Sequence, residues 1–316
     1  PARTATRRHG AHRREDARQA ARPSESKSTV ARSSMVMFLG TLASRVLGLV
    51  RSPILIGAVI GMSSPAANAF DTANKLPNLL YMIIVGGLVN AVLVPSIVRA
   101  TKESEDEGVA FLNKLITLSI VFLGGVTLVL TLASPLVVEA FAGTMSHGWY
   151  RLTVAFAYWC LPQIFFYGAY TMLGQILNAR DQFGPMMWAP IANNVISILV
   201  LGFYLVIWGT GGDHSGAFTT EQILLLGIGS TLGIAAQAIV LIPFVKKVGF
   251  RFRPRFDLRG AGLGKTFQLA KWTLGFVLIN QAVLMLVNRL ATSATAAGSG
   301  GGSNVYRNAS LIWMMP

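Results

Sequence analysis

Acidic residues, cysteine and any arrangement of catalytic side chains are what this sequence has least of. Only 13% of its 316 residues are charged, 53% are hydrophobic, and the mean hydropathy is +0.54. Ordinary soluble domains are about one quarter charged, so a water-soluble globule is excluded and lipid is the expected solvent. The single cysteine, Cys160, rules out an intramolecular disulfide and leaves the redox compartment unread. His147 and His214 have no second histidine or cysteine at ligand spacing, so neither a metal site nor a cofactor is expected. No nucleophile elbow, zinc-protease helix or pair of catalytic carboxylates occurs, and bond-making chemistry is not expected. "RGAGLGKT" (Arg259 to Thr266) mimics a phosphate-binding loop, but Arg259 stands where that loop needs its first glycine, and no strand precedes it.

What is present is a series of apolar blocks. A hydrocarbon core about 30 Å thick takes about 20 helical residues to cross. Blocks of that size run from Ser34 to Ile60, Leu76 to Val98, Leu112 to Phe141, Leu152 to Leu177, Met186 to Trp208, Ile223 to Val245 and Phe267 to Leu290. An eighth begins near Val305. The expectation is an all-α, polytopic transmembrane bundle: a disordered basic tail over residues 1–32, a lobe of seven spans over 33–304, and a truncated eighth span over 305–316. The tail is too polar to bury a core, and the long apolar run after Arg32 reads as a retained first span rather than a signal peptide. The chain starts at Pro1 without methionine and stops inside "SLIWMMP", which reads as the middle of a helix, so a fragment is expected. "GSGGGS" (Gly298 to Ser303) suits a flexible external loop or an engineered linker equally in composition.

The basic residues behind the net charge of +14 are concentrated in the tail and in alternate loops. "RATKESEDEG" (Arg99 to Gly108), "NARDQFG" (Asn178 to Gly184) and "KKVGFRFRPRFDLRGAGLGK" (Lys246 to Lys265) are basic or charged. Gly61 to Ala67, Gly143 to Tyr150, Gly209 to Gln222 and Ala291 to Asn304 contain no lysine or arginine. Positively charged loops stay cytoplasmic, so the N-terminus is expected inside. Nucleic acid is the weaker explanation of the charge. The acidic run "ESEDE" (Glu103 to Glu107) reads as a solvated loop.

Two arginines break the first apolar block, in "SRVLGLVRSP" (Ser44 to Pro53). From a start near Ser34, Arg45 lies about 16 Å into the membrane at 1.5 Å per residue. A cation at that depth costs about 2.5–3.5 kcal/mol on insertion scales, so Arg45 and Arg51 should face a polar cavity or anionic partners. Six residues separate them by about 9 Å and about 120° on a regular helix. Gly48, Pro53 and Gly57 make a straight helix unsuitable, and a broken one could turn both guanidinium groups into one cavity. Paired donors and permanent charge suit phosphate. An internal ion pair is the alternative. In "AANAFDTANKLPNLL" (Ala66 to Leu80), Asp71 and Lys75 have the i, i+4 order that favours a helical ion pair; alternatively Lys75 adds a third cation to the cavity.

These residues carry a resemblance. "SRVLGLVRSPILIGAVIG" resembles the first-span signature of the MurJ/MviN lipid II flippases, and "NAFDTANKLPNLL" resembles the stretch after it. "VPSIVRA", "GQILNARDQFGPMMWAPIANN" (Gly174 to Asn194) and "IPFVKKVG" (Ile242 to Gly249) follow in the family's order, so the resemblance covers about Ser33 to Pro316. It implies a two-lobed transporter of the multidrug, oligosaccharidyl-lipid and polysaccharide exporter superfamily, with this chain as the N-terminal half. It also implies lipid II, an undecaprenyl-pyrophosphate-linked peptidoglycan precursor, as substrate, with Arg45 and Arg51 binding the pyrophosphate. Asn68, Asp71 and Lys75 would complete the substrate-binding set, although Asn68 stands where the Gram-negative pattern has an acid. Tyr81 replaces an arginine, Gly86 a glutamate, and Leu311 an arginine for which Arg307 is one turn away. These departures resemble a high-GC Gram-positive variety. Expected partners are lipid II, membrane lipids and cell-wall synthesis proteins. Another exporter of the superfamily, a scaffold for cell-wall enzymes and, more remotely, a membrane enzyme are the competing readings.

Overall fold

The computed structural model describes residues 34–48, 50–51, 59, 65–83, 105–142, 147–210 and 218–256, together with positions 275, 279, 283 and 286. The predicted tail (1–32), the Gly/Ser stretch, the phosphate-loop mimic and the start of the eighth span lie outside the described residues. The protein is all-α, with nine helices among the described residues. They are α1 (Ser34–Gly48), α2 (Pro65–Tyr81), α3 (Glu105–Leu132), α4 (Ser134–Ala142), α5 (His147–Cys160), α6 (Gln163–Asn178), α7 (Gly184–Trp208), α8 (Thr220–Ile239) and α9 (Leu241–Lys247). Four stretches are long and apolar enough to cross a membrane: Leu112–Leu132, Gly148–Asn178, Gly184–Trp208 and Thr220–Lys247. They match the third to sixth predicted spans. Of the seventh, only Gly275, Ile279, Val283 and Leu286 are described, and all are helical.

Three boundaries differ from expectation for local reasons. α2 starts at Pro65, well before Leu76, because proline at the first helical position needs no amide partner and has its φ already set. α3 starts within the acidic run, at Glu105, where acids favour the positive end of the helix dipole. The third span is not continuous to Phe141. It breaks at Ala133, since Pro135 has no N–H for the Thr131 carbonyl; Ser134 Oγ donates to that carbonyl instead, at 2.5 Å.

Cα packing divides the chain into two units, Pro1–Asn74 with Thr127–Arg251, and Lys75–Val126 with Phe252–Pro316. In the first unit α8 is the hub, packed on α5, α6 and α7. Its sequence "LGIGSTLGIAA" explains why. A Cβ on Gly227 would lie 2.6 Å from Trp159 Cβ, and one on Gly229 2.5 Å from Val200 Cγ1. Small residues let backbones approach where lipid offers no hydrophobic drive for helix association. The α8 start is fixed by a capping box, with the Thr219 N–H donating to Gln222 Oε1 at 2.9 Å and the Gln222 N–H to Thr219 Oγ1 at 3.4 Å. Pro162 breaks the path from α5 to α6, and the Trp159 carbonyl accepts the Thr231 hydroxyl of α8 at 2.6 Å. Outward positions of α7, Leu199, Phe203 and Val206, are exposed and face lipid in a membrane protein.

In the second unit the described residues are the end of α2 with positions 82 and 83, most of α3, the non-helical segment after Arg251, and positions 275, 279, 283 and 286. Asn113 and Thr117, buried near the start of α3, accept the backbone N–H groups of Arg253 and Arg255 at 2.9 and 3.0 Å.

Candidate functional site

A polar cavity of about 80 Å³ lies within the first unit. Arg51 lines it, with Asn74 of α2, Gln163 and Tyr167 of α6, Asn193 and Ser197 of α7, and Ser230 of α8. Water occupies about 30 Å³ per molecule in the liquid, so the space is on the scale of a few waters. Among its described lining residues Arg51 is the only charged group. Arg51 Nε is buried and has no hydrogen-bond partner among the described residues. The neutral groups are partly spent on each other: Gln163 Nε2 donates to Asn74 Oδ1 at 3.0 Å, and Ser197 Oγ to Asn193 Oδ1 at 3.4 Å. A desolvated guanidinium donor without an acceptor is costly. A site that keeps such a donor among neutral amides and hydroxyls is chemically fitted to an anion.

Arg51 is placed by a helix that changes register and by ties to α7. The chain is α-helical to Gly48 and π-helical at Val50 and Arg51, so the regular step that sets Arg45 and Arg51 about 120° apart is not kept. Asn194 Nδ2 donates to the Ser44 carbonyl at 2.9 Å and to Ser44 Oγ at 3.2 Å. One turn and a half earlier on α7, Trp188 Nε1 donates to the Val36 carbonyl at 3.1 Å. Gly40 makes room for that indole: a Cβ there would sit 2.8 Å from Trp188 Nε1. The stretch "WAPIANN" is thus the cradle of α1. Phe70, which also lines the cavity, meets buried Phe156 edge-on at 5.2 Å, and Phe156 meets Phe218 at 5.8 Å.

Three of the other predicted site residues, Arg45, Asp71 and Lys75, are not in the cavity lining. Arg45 is exposed on α1 and is not in the cavity lining. Asp71 and Lys75 are exposed on α2, each with an interaction of its own, and Lys75 belongs to the second unit. Asn68 is within α2, but its side chain lies outside the described residues. Of the four predicted site residues whose side chains are described, the structure gathers Arg51 alone into this cavity. Asn74, Gln163, Asn193 and Ser230 were not singled out in sequence. The available signal was their polarity inside apolar spans, because a buried amide must find a partner. No group of three or more histidine, cysteine or acidic residues able to hold a metal occurs among the described residues.

A second polar device sits at the far ends of α6 and α9. α6 closes with Asp181 at φ +58, the Asp181 N–H donating to the Asn178 carbonyl and the Gln182 N–H to the Leu177 carbonyl. α9 closes in the same way with Gly249 at φ +82, through Gly249 to Lys246 and Phe250 to Val245. Both are Schellman endings. The Arg180 guanidinium donates to the Val248 carbonyl and joins them.

Comparison with known proteins places this geometry in a lineage. Probable lipid II flippase MurJ of Haemophilus influenzae is 27% identical over 272 residues, covering 80% of this chain and 49% of that protein. The Rhizobium tropici protein of the same name is 27% identical over 282 residues (87% and 50%), and that of Synechocystis 25% over 278 residues (86% and 51%). The chain spans about half the length of these relatives. A solved lipid II flippase MurJ in an inward closed conformation shares the fold, with a TM-score of 0.57 at 19% identity over 82% of this chain and 49% of that one. So does a MOP superfamily transporter from Pyrococcus furiosus, described as having a binding pocket of reversed polarity, with a TM-score of 0.63 at 16% identity over 89% and 58%. The family model for the lipid II flippase MurJ matches residues 56–316, and the chain, a multi-pass protein of the cell membrane, belongs to that family.

Proposed function

We propose that the protein moves lipid II from the inner to the outer leaflet by alternating access, with the pyrophosphate as the group that the membrane-buried cations recognise. Family membership supports the substrate class. The observation that carries the residue-level reading is Arg51: a guanidinium at membrane depth, one donor nitrogen unpartnered, facing a cavity with no acid among its described lining residues. An acid-lined cavity would suit an organic cation; this one disfavours it by charge. Arg51 makes the inner contact with phosphate oxygens, while Arg45, Lys75 and Asp71 contribute from α1 and α2 outside the small cavity, and Asn68 completes the set. Rocking of one lobe against the other then exposes the headgroup outside, and no bond is made or broken. A guanidinium that moves relative to the membrane field couples translocation to the potential at about 2.3 kcal/mol per charge per 100 mV.

The test is leaflet accessibility of lipid II in cells that depend on the full-length protein. Arg51→Ala abolishes outer-leaflet appearance of lipid II at unchanged protein level, and Arg51→Lys, which keeps the charge and loses the fork, restores part of it. Wild-type translocation in Arg51→Ala overturns the assignment.

A further inference from the structure

The segment "RFRPRF" (Arg251 to Phe256) is tied to α3 through its backbone at Arg253 and Arg255. The Arg253 and Arg255 N–H groups donate to Asn113 Oδ1 and Thr117 Oγ1. Acceptors four residues apart on a helix rise by about 6 Å, close to the about 6.7 Å between alternate residues of an extended chain. The segment therefore runs along the axis of α3 as a strap, and it covers two polar residues that are 2% and 4% exposed. Pro254, between the two donors, has no N–H to leave unpaired on the opposite edge.

Every residue from Arg251 to Phe256 is exposed. Phe252 is 42% and Phe256 76% exposed. Three guanidinium groups and two phenyl rings in six residues are thus at the surface, and alternation along an extended chain puts the arginines on one side and Phe252, Pro254 and Phe256 on the other. The anchoring residues Asn113 and Thr117 sit in the first two turns of the candidate span Leu112–Leu132. This places the strap at the level where hydrocarbon gives way to headgroups. On the positive-inside orientation adopted above, that level is the cytoplasmic leaflet, whose anionic lipids create a negative surface potential that attracts basic segments. Aromatic rings are favoured at the same depth.

We infer that the strap is a binding site for anionic phospholipid of the cytoplasmic leaflet, the arginines holding the headgroup phosphate and Phe252 and Phe256 entering the acyl boundary. It is separate from the Arg51 cavity, and its occupant is a membrane lipid rather than the transported one.

The full chain, purified in mild detergent, is titrated with phosphatidylglycerol and phosphatidylcholine and retained lipid is counted by native mass spectrometry. Wild type retains phosphatidylglycerol preferentially. R253Q/R255Q lowers that preference by about 30-fold, the equivalent of about 1 kcal/mol for each charge near the surface. R253K/R255K keeps most of it, which separates lost charge from lost fold. N113A/T117A, which leaves the charges but releases the strap, lowers retention of both lipids' acyl contact and headgroup preference together. An unchanged preference in R253Q/R255Q overturns the inference, as does wild type that does not distinguish the two lipids. Displacement of phosphatidylglycerol by inorganic phosphate at equal concentration overturns the lipid assignment in favour of a free-phosphate site.

Discussion

Arg51 and Arg180 belong to the same packing unit and are treated in opposite ways. Arg180 is at a helix end, and its guanidinium is consumed by the Val248 carbonyl, where it joins two Schellman endings. Arg51 is in the bundle, beside amides that bond to one another, and its Nε is left without a partner among the described residues. One arginine is used up in holding the fold; the other keeps a donor that no described residue accepts. The difference teaches that in a membrane bundle the distinguishing mark of a binding cation is not its depth alone but the absence of an internal acceptor.

The largest expected effect breaks this comparison directly. Arg51→Ala removes translocation while the thermal midpoint of the purified protein stays near wild type, because an unsatisfied donor is deleted. Arg180→Ala acts in the reverse sense. Hydrogen bonds to charged groups contribute about 1.5–3 kcal/mol, so the variant melts earlier and transports in proportion to the folded protein that remains. If Arg180→Ala abolished transport without loss of stability, the division of roles would fail.

Next in size is the hub that shapes the cavity. Gly229→Val forces a side chain against Val200 where even a Cβ would be 2.5 Å away. Overpacking of this kind costs about 1–3 kcal/mol. Pairing it with Val200→Ala should return a measurable part of the loss in a thermal melt. Gly124 and Gly125 of α3 have nothing within 4 Å of such a Cβ, so alanine there does not destabilise. An equal effect at both places would mean that α8 is not the hub.

Much of the fold was legible because lipid imposes a length and a charge rule on the chain. Four of the predicted spans coincide with helices long enough to cross, from "LVLTL" in α3 to "LIPFVKK" at the end of α8 and α9. The misses share one cause: apolar runs mark burial in lipid and say nothing of where the helix itself ends. Pro65, the acids from Glu105 and the Thr219–Gln222 box all extend helices beyond the apolar residues, through capping and dipole chemistry that hydropathy does not register. The site was legible in one residue, Arg51, because its cost in lipid is large. Its companions were not, since whether Asn74 meets Gln163 or Asn194 meets Ser44 depends on helix packing across 89 and 150 residues of chain. The Trp188 tie to the Val36 carbonyl of α1 depends in the same way on packing across 152 residues of chain.

Asn194→Ala tests that packing with a smaller effect. Interhelical side-chain bonds in membranes average about 0.6 kcal/mol and reach about 1.7. Removal of both ties to Ser44 should cost within that range in a melt and lower the transport rate more than the stability loss explains, since α1 carries Arg45 and ends three residues before Arg51. A loss of stability with an unchanged rate would show that α1 is positioned by other contacts, and the contrast between a held and an available arginine would then lose its structural basis.

The smallest effect is expected at the device that joins the ends of α6 and α9, and its sign is opposite. Asp181 adopts φ +58, a conformation that costs an L-residue roughly 1 kcal/mol and glycine almost nothing. The neighbouring ending already uses glycine, at Gly249 with φ +82. Asp181→Gly therefore raises the melting temperature slightly, offset in part by the greater freedom of glycine in the unfolded chain. Because Arg180 is bonded to Val248 rather than dependent on Asp181, the Arg180 tie survives, and transport is unchanged. A fall in transport in a stabilised Asp181→Gly protein would give this carboxylate a part in gating the inner mouth, and the end of α6 would then be a working surface rather than a fastening.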